Sequence, residues 1–227
     1  MNRPRLLMKI DHHLHTSRHS PDSIIDPYEL IERARSVGLD AVVITEHDYQ
    51  WHADELAELA ARAEPYGLRV FSGAEISARE GHFLVYGLPD LTDARPGIWL
   101  ADLLETVRQH DAAIVAAHPF RWDQDFEAIV AEHGPAFDAL ELASNNVTPD
   151  TRRKTERILR IHPMGATGSS DGHDVDVIGC YYSEFPEPIE SMTGFVTALK
   201  QRTGRPRHRA GAFQASGPVD DFAYGAK

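Results

Sequence analysis

The stretch Met8-Lys9-Ile10-Asp11-His12-His13-Leu14-His15-Thr16 decides how the rest of the chain is read. A strand has a side-chain period of two, so His13 and His15 fall on one face while Leu14 turns to the other. Two imidazoles on one face can grip one cation. The same parity puts Asp11 on that face one step earlier, where its carboxylate can hold the second N–H of a ligand imidazole. His12 points away.

Outward from this stretch, short β-branched runs predict strands over residues 8–14, 40–45, 69–75, 82–86, 112–117, 138–142 and 164–169. Helical spacing fits 27–37, 53–64, 98–110, 126–132, 149–160 and 189–200, and the alternation argues for βα units in a parallel sheet or barrel. The first helix carries its own start signal, with Asp26 as N-cap, Pro27 at the first helical position and Glu29 three residues after the cap; Gly38 ends it. After Lys200 the composition shifts to Arg202, Arg205, Arg207 and Arg209 and then to a Gly/Ala/Ser/Pro tail. The expectation is one domain over 1–204 and a mobile tail over 205–227.

Reactive groups in parallel α/β folds gather at the carboxyl ends of strands, where the loops are free to vary. Here the first predicted strand ends in His13 and His15, the second in Glu46, His47 and Asp48, and the third in Glu75. The fifth ends in His118, the sixth reaches Glu141, and the seventh runs into Asp171 and His173. A carboxylate that closes the apolar run 70–74, as Glu75 does, is costly to bury unpaired, so a cation beside it is the economical explanation.

Composition narrows the function classes. Over 227 residues, 23 Lys and Arg stand against 35 Asp and Glu, a net charge of −12. Such a surface repels a phosphate backbone, so duplex nucleic acid is not an expected partner. The one cysteine, Cys180, excludes an internal disulfide and a cysteine-based zinc site, and it fits a reducing compartment such as the cytoplasm. The longest apolar run, 112–117, is far too short to span a membrane, and the few apolar residues after Arg3 and Arg5 do not make a signal peptide. Thirteen histidines remain, and imidazole is the commonest protein metal ligand.

In order along the chain, Asp11-His12-His13-Leu14-His15-Thr16, Thr45-Glu46-His47-Asp48, Gly73-Ala74-Glu75-Ile76-Ser77, Gly81-His82-Phe83-Leu84, Ala117-His118-Pro119 and Ser170-Asp171-Gly172-His173 resemble the PHP family, named for polymerase and histidinol phosphatase. The resemblance spans about positions 9 to 200. It implies a distorted (β/α)7 barrel with the active site at the C-terminal ends of the strands, and three metal positions there. His13, His15, Glu75 and Asp171 would surround the first. Glu75 would bridge to a second held also by His82 and His118. The third would take His47, His173 and an acid from the loop after the first strand, either Asp22 or, because that loop is one residue longer than the common pattern, His19 in its place. Glu46 stands where the family often has Asp.

The implied activity is hydrolysis of a phosphomonoester of a small metabolite or nucleotide through a metal-bridging hydroxide, with Glu75, Asp171 and His173 as catalytic residues. A donor set of imidazoles and carboxylates without thiolates suits two or three Zn²⁺, Mn²⁺ or Fe²⁺ ions better than Mg²⁺ or Ca²⁺. Arg18 and Arg121, in a chain with 19 Arg and 4 Lys, are the candidates for the phosphate. Two other readings compete. One is phosphodiester cleavage at oligonucleotide ends, and the other is a non-catalytic module braced by metal. Trp51, Trp99 and Trp122 are expected to pack in the core or rim, or to form a wall facing the substrate.

Overall fold

The computed structural model describes residues 7–212, 215–217 and 219, so Arg3 and Arg5 lie outside it. Along the chain run β1 (Met8–Asp11), α1 (Pro27–Ser36), β2 (Ala41–Ile44), α2 (Ala53–Ala63), β3 (Arg69–Ser72), β4 (Ala74–Ala78), β5 (Gly81–Tyr86), α3 (Leu100–Gln109), β6 (Ala113–Ala116), α4 (Phe126–His133), β7 (Ala139–Ala143), α5 (Pro149–Ile161), β8 (Gly165–Gly168), β9 (Tyr181–Phe185), α6 (Met192–Lys200) and β10 (Arg205–His208). All six expected helices form. Asp26 caps α1 by accepting from the N–H groups of Tyr28 and Glu29.

The strands build two five-stranded sheets, in the orders β10-β9-β1-β2-β3 and β4-β5-β6-β7-β8. No closed barrel is found among the described residues. The sequence reads 69–75 as one strand, but the chain breaks at Gly73 and passes there from the first sheet to the second. Two isolated parallel bridges, Leu14 with Gly172 and His47 with Glu75, join the sheets, and both lie at residues of the His and carboxylate motifs.

Two features depart from simple βα alternation. β5 runs antiparallel to both β4 and β6, so its first residues reach the end of the sheet where the others finish. His82 therefore arrives from the amino end of a strand. The second feature is β9 and β10, which the sequence reading leaves out. Residues 205–208, expected to begin a tail, pair antiparallel with β9 along the edge of the first sheet, and Arg207 donates to Glu184 from there at 2.8 Å. Ser216, within the same expected tail, is buried and its N–H donates to Tyr181. Residues 213–214, 218 and 220–227 lie outside the described residues.

The core has layers. Leu30, Ile31 and Ala34 of α1 and Leu59 and Ala63 of α2 pack on Val42, Ile44 and Val70 of the first sheet. Leu100, Leu103 and Val107 of α3, Phe126 and Ile129 of α4 and Ile158 of α5 cover the second. Between the sheets, Ile10 and Val43 meet Leu84, Tyr86 and Val115, with Phe195 and Leu199 of α6 closing one end. β2, β6, β7 and β8 are buried at every position, as strands covered on both faces must be.

Candidate metal centre

Where the strands end, the two sheets deliver their polar side chains into one buried cluster. His13 and His15 follow β1, His47 follows β2, Glu75 sits in β4, His118 follows β6, and Asp171 and His173 follow β8. His13, His15, Glu75, His118 and Asp171 are buried. Several of the turns that carry them adopt left-handed backbone without glycine: Asp48 at φ 54°, His118 at φ 28° and Asp171 at φ 51°. Such strain persists only where surrounding structure enforces it, and it collects at functional sites.

His13 Nε2 lies 3.4 Å from Glu75 Oε2 and 3.2 Å from Asp171 Oδ1, and His15 Nε2 lies 3.3 and 3.5 Å from the same two oxygens. Glu75 Oε1 faces His82 Nδ1 at 3.0 Å and His118 Nε2 at 3.2 Å. On the outer side, Asp22 Oδ2 lies 3.1 Å from His47 Nε2 and 3.3 Å from His173 Nε2. The nine residues expected to act as ligands thus converge. Between the two candidates in the loop after β1, Asp22 meets His47 and His173, while His19 stacks on Tyr49 at 3.9 Å and faces Glu55.

Three imidazoles have their tautomer set from behind. His13 Nδ1–H donates to Glu141 Oε1 at 3.0 Å, His15 Nδ1–H to Ser20 Oγ at 3.3 Å and His173 Nδ1–H to the Asp171 carbonyl at 3.1 Å. Each is left with its Nε2 lone pair facing the cluster. The expected partner for an imidazole N–H was Asp11, and here the structure corrects the reading. Asp11 accepts instead from the N–H groups of Ser170 and Gly179, both at 2.9 Å, and so pins β1 to the turn after β8. Burial pushes its carboxyl up to about 6.

Glu141 takes the role instead. It holds His13 and also accepts from the His118 N–H at 2.9 Å and from Ser169 Oγ. Its signal was legible, since a carboxylate inside the apolar run Ala139–Ala143 poses the same burial cost that marks Glu75. Asn146, whose amide donates to Asp171 Oδ2 at 2.5 Å, gave no comparable signal. Glu46 gathers the loop after β1 by accepting from Thr16 N, Ser20 Oγ and Trp51 Nε1. Of the two arginines, Arg121 Nη1 lies 3.6 Å from Asp171 Oδ2. Arg18 is exposed, over the Trp51 ring.

The electrostatics call for positive charge. Burial opposes ionisation of Glu75, yet the charge of His13 and the facing imidazoles of His118 and His15 hold it well below the usual carboxylate range. Asp171 is held low against its burial in the same way, by His13, His15 and His118. Burial likewise works against charging His13, but the carboxylates of Asp171, Glu141 and Glu75 raise it well above the ordinary imidazole range. His47 rises to about 9 against its own desolvation because Glu75 and Asp22 flank it. His12, by contrast, is driven down to about 4 by burial and donates to Tyr86, a neutral core residue apart from the cluster.

Do these residues suit a metal ion? His13 Nε2, His15 Nε2 and Glu75 Oε2 are buried with no hydrogen-bond partner. Donors about 2.1 Å from a tetrahedral ion lie about 3.4 Å from one another, and His13 Nε2 and His15 Nε2 keep close to that spacing from Glu75 Oε2 and Asp171 Oδ1. Three groupings have ligand atoms mutually within 4.8 Å: His15, His47 and His173; His13, His15 and Asp171; His13, Glu75 and His118. The donor set fits.

A family profile described as PHP domain matches residues 11–154, and one described as PHP-associated matches 149–203. The uncharacterized protein MJ1587 of Methanocaldococcus jannaschii is 27% identical over 122 residues, covering 50% of this chain and 68% of that protein. Among solved structures, PsfC from Pseudomonas syringae PB-5123 superposes with a TM-score of 0.67 at 20% identity, over 90% of this chain and 92% of its own. A Bifidobacterium adolescentis protein described as a metal-dependent phosphoesterase gives 0.55 at 22% identity, over 73% of this chain and 87% of its own. At these identities the two structures speak to the fold.

Proposed function

The chain belongs to the PHP family, and from that membership we propose that it is a metal-dependent phosphoesterase acting on a phosphomonoester of a small metabolite or nucleotide. The observation that carries this reading is the set of buried atoms His13 Nε2, His15 Nε2 and Glu75 Oε2, which complete no hydrogen bond and face one another among ionised carboxylates, with His47 Nδ1 2.9 Å from Glu75 Oε2. Inside a protein such atoms need a cation. In the proposal His13, His15, Glu75 and Asp171 hold one ion, Glu75, His82 and His118 a second, and Asp22, His47 and His173 a third.

When bound, such ions supply a nucleophile at neutral pH and neutralise charge building on the phosphoryl oxygens. The protein's part is preparation. Glu141, Ser20 and the Asp171 carbonyl keep three imidazoles in the tautomer that presents Nε2. Asn146 fixes the Asp171 carboxylate. Arg121, with Nη1 3.6 Å from Asp171 Oδ2, meets the phosphate dianion with its guanidinium fork. Burial excludes bulk water and strengthens each of these interactions. The two bridges between the sheets support a distorted barrel of the PHP type as the parent architecture, and the single buried cysteine supports a cytoplasmic location.

The test is hydrolysis of p-nitrophenyl phosphate beside its bis-ester. Activity on the monoester, abolished by chelation and restored by Mn²⁺ or Zn²⁺, is expected. Preference for the bis-ester would favour the phosphodiesterase reading, and full activity in metal-free protein would refute the proposal.

A further inference from the structure

The turn after β6 is built at a conformational cost. Phe120 at φ 70° and Trp122 at φ 53° both occupy the left-handed region, close behind His118. The surroundings hold it there. The Phe120 N–H donates to Gln124 Oε1 at 3.1 Å, the Gln124 amide donates to the Glu80 carbonyl at 2.7 Å, and the Phe120 ring packs edge-on against Phe126. What this turn presents is an indole. Trp122 is 68% exposed, a poor position for a large apolar ring, and its ring centroid lies 5.1 Å from that of His82 and 5.9 Å from that of His118. The Arg121 guanidinium sits 4.0 Å from the ring centroid and so covers one face, while its Nη1 reaches Asp171.

Beside the indole opens a cavity of about 460 Å³ that also touches His82 and His118. Part of its polar margin is held by the protein itself. Glu80 accepts from the Leu100 N–H, Asp125 caps α4 at Ala128, and Arg79 donates to the Gly97 carbonyl. Its apolar lining comes from Trp122, Ala78, Ala117 and Ile129. The exposed indole beside this lining suits a flat ring stacked on it.

Resting on the phosphoesterase reading, we propose that Trp122 is a specificity residue, and that the alcohol side of the substrate carries a planar aromatic ring next to phosphorus, stacked on Trp122 while Arg121 holds the phosphate. Stacking on an aromatic side chain is worth about ten-fold or more in affinity.

Binding of phenyl-, cyclohexyl- and methylphosphonate, measured by calorimetry on the Mn²⁺-loaded protein, tests it without turnover. Phenylphosphonate should bind about ten-fold tighter than methylphosphonate. That ratio should fall to near one in Trp122→Ala and be kept in Trp122→Phe. A ratio near one in the wild type, or one that survives in Trp122→Ala, overturns the role of Trp122 and leaves the phosphoesterase reading standing. Cyclohexylphosphonate binding as tightly as phenylphosphonate overturns the aromatic class. Binding of none of the three, with no phosphomonoester hydrolysed, overturns the phosphoesterase reading and this inference with it.

Discussion

Truncating Glu141 to Ala strips the acceptor from three buried donors, His13 Nδ1–H, the His118 N–H and the Ser169 hydroxyl. Freed of its partner, the His13 ring loses both its tautomer and its aim. Groups that orient ligands in this way typically govern metal affinity by about 10–100-fold. We predict a loss of that size in Glu141→Ala, read by competition against a chelating dye; unchanged affinity would mean that His13 is oriented by something else. The ligand positions themselves are legible in the sequence, because His13 and His15 share strand parity and Glu75 closes an apolar run. Glu141 is visible there only as a strand-end carboxylate, since its partner lies 128 residues away. The role expected of Asp11 fails because parity gives the face of a strand and not which backbone N–H groups will reach it.

Cys180 makes a second prediction at this scale. Burial pushes its thiol up to about 12 from an ordinary 9. A raised folded pKa means that the neutral thiol contributes stability in full below pH 9 and loses it as the pH climbs toward 12. Between pH 8 and 10.5 the unfolding free energy of the wild type should therefore fall relative to Cys180→Ala, by up to about 1.4 kcal/mol per pH unit, in denaturant titrations. Parallel curves for the two proteins would show that the thiol is not held neutral.

Among the elements, Gly73 is an exacting position. The chain crosses between the sheets there, and a Cβ on Gly73 would meet Tyr86 Cδ1 and the Val85 carbonyl oxygen, each at 2.7 Å. Neither yields easily, since Tyr86 is buried and bonded to His12 and the other atom is backbone. Gly73→Ala should cost about 1–3 kcal/mol through overpacking, seen as a lowered melting temperature, and an unaltered melting temperature would show that the junction has room. The helices were legible from spacing and caps. β9 and β10 were not. Only alternate residues of β9 are buried, with no apolar run to announce it, and β10, Arg-Pro-Arg-His, carries no apolar run at all. An edge strand of that composition is specified by its neighbour, through pairings such as Arg207 with Glu184.

Across the whole molecule, the two sheets pack on a shared core, and the two isolated bridges that join them among the described residues lie at residues of the buried cluster. A charge of −12 makes concentrated carboxylates the rule for this protein. Glu75, Asp171 and Glu141 are buried together at that junction, where their charge has to be balanced by the surrounding imidazoles or by bound cations. Among the described residues no helix is long and apolar enough to cross a membrane. Alternation along the sequence implied a ring of strands, but it could not show that β5 turns back and that β9 and β10 extend one sheet, because strand direction is settled by packing between distant segments.

The central claim is that the His and carboxylate cluster is a metal centre, and the direct measurement is the number of divalent ions retained per chain after equilibration with Zn²⁺ or Mn²⁺ and gel filtration, counted by elemental analysis. Two or three ions in the wild type, with at least one lost in Glu75→Gln, is the result expected. A count near zero in the wild type, or the same count in Glu75→Gln, would contradict it.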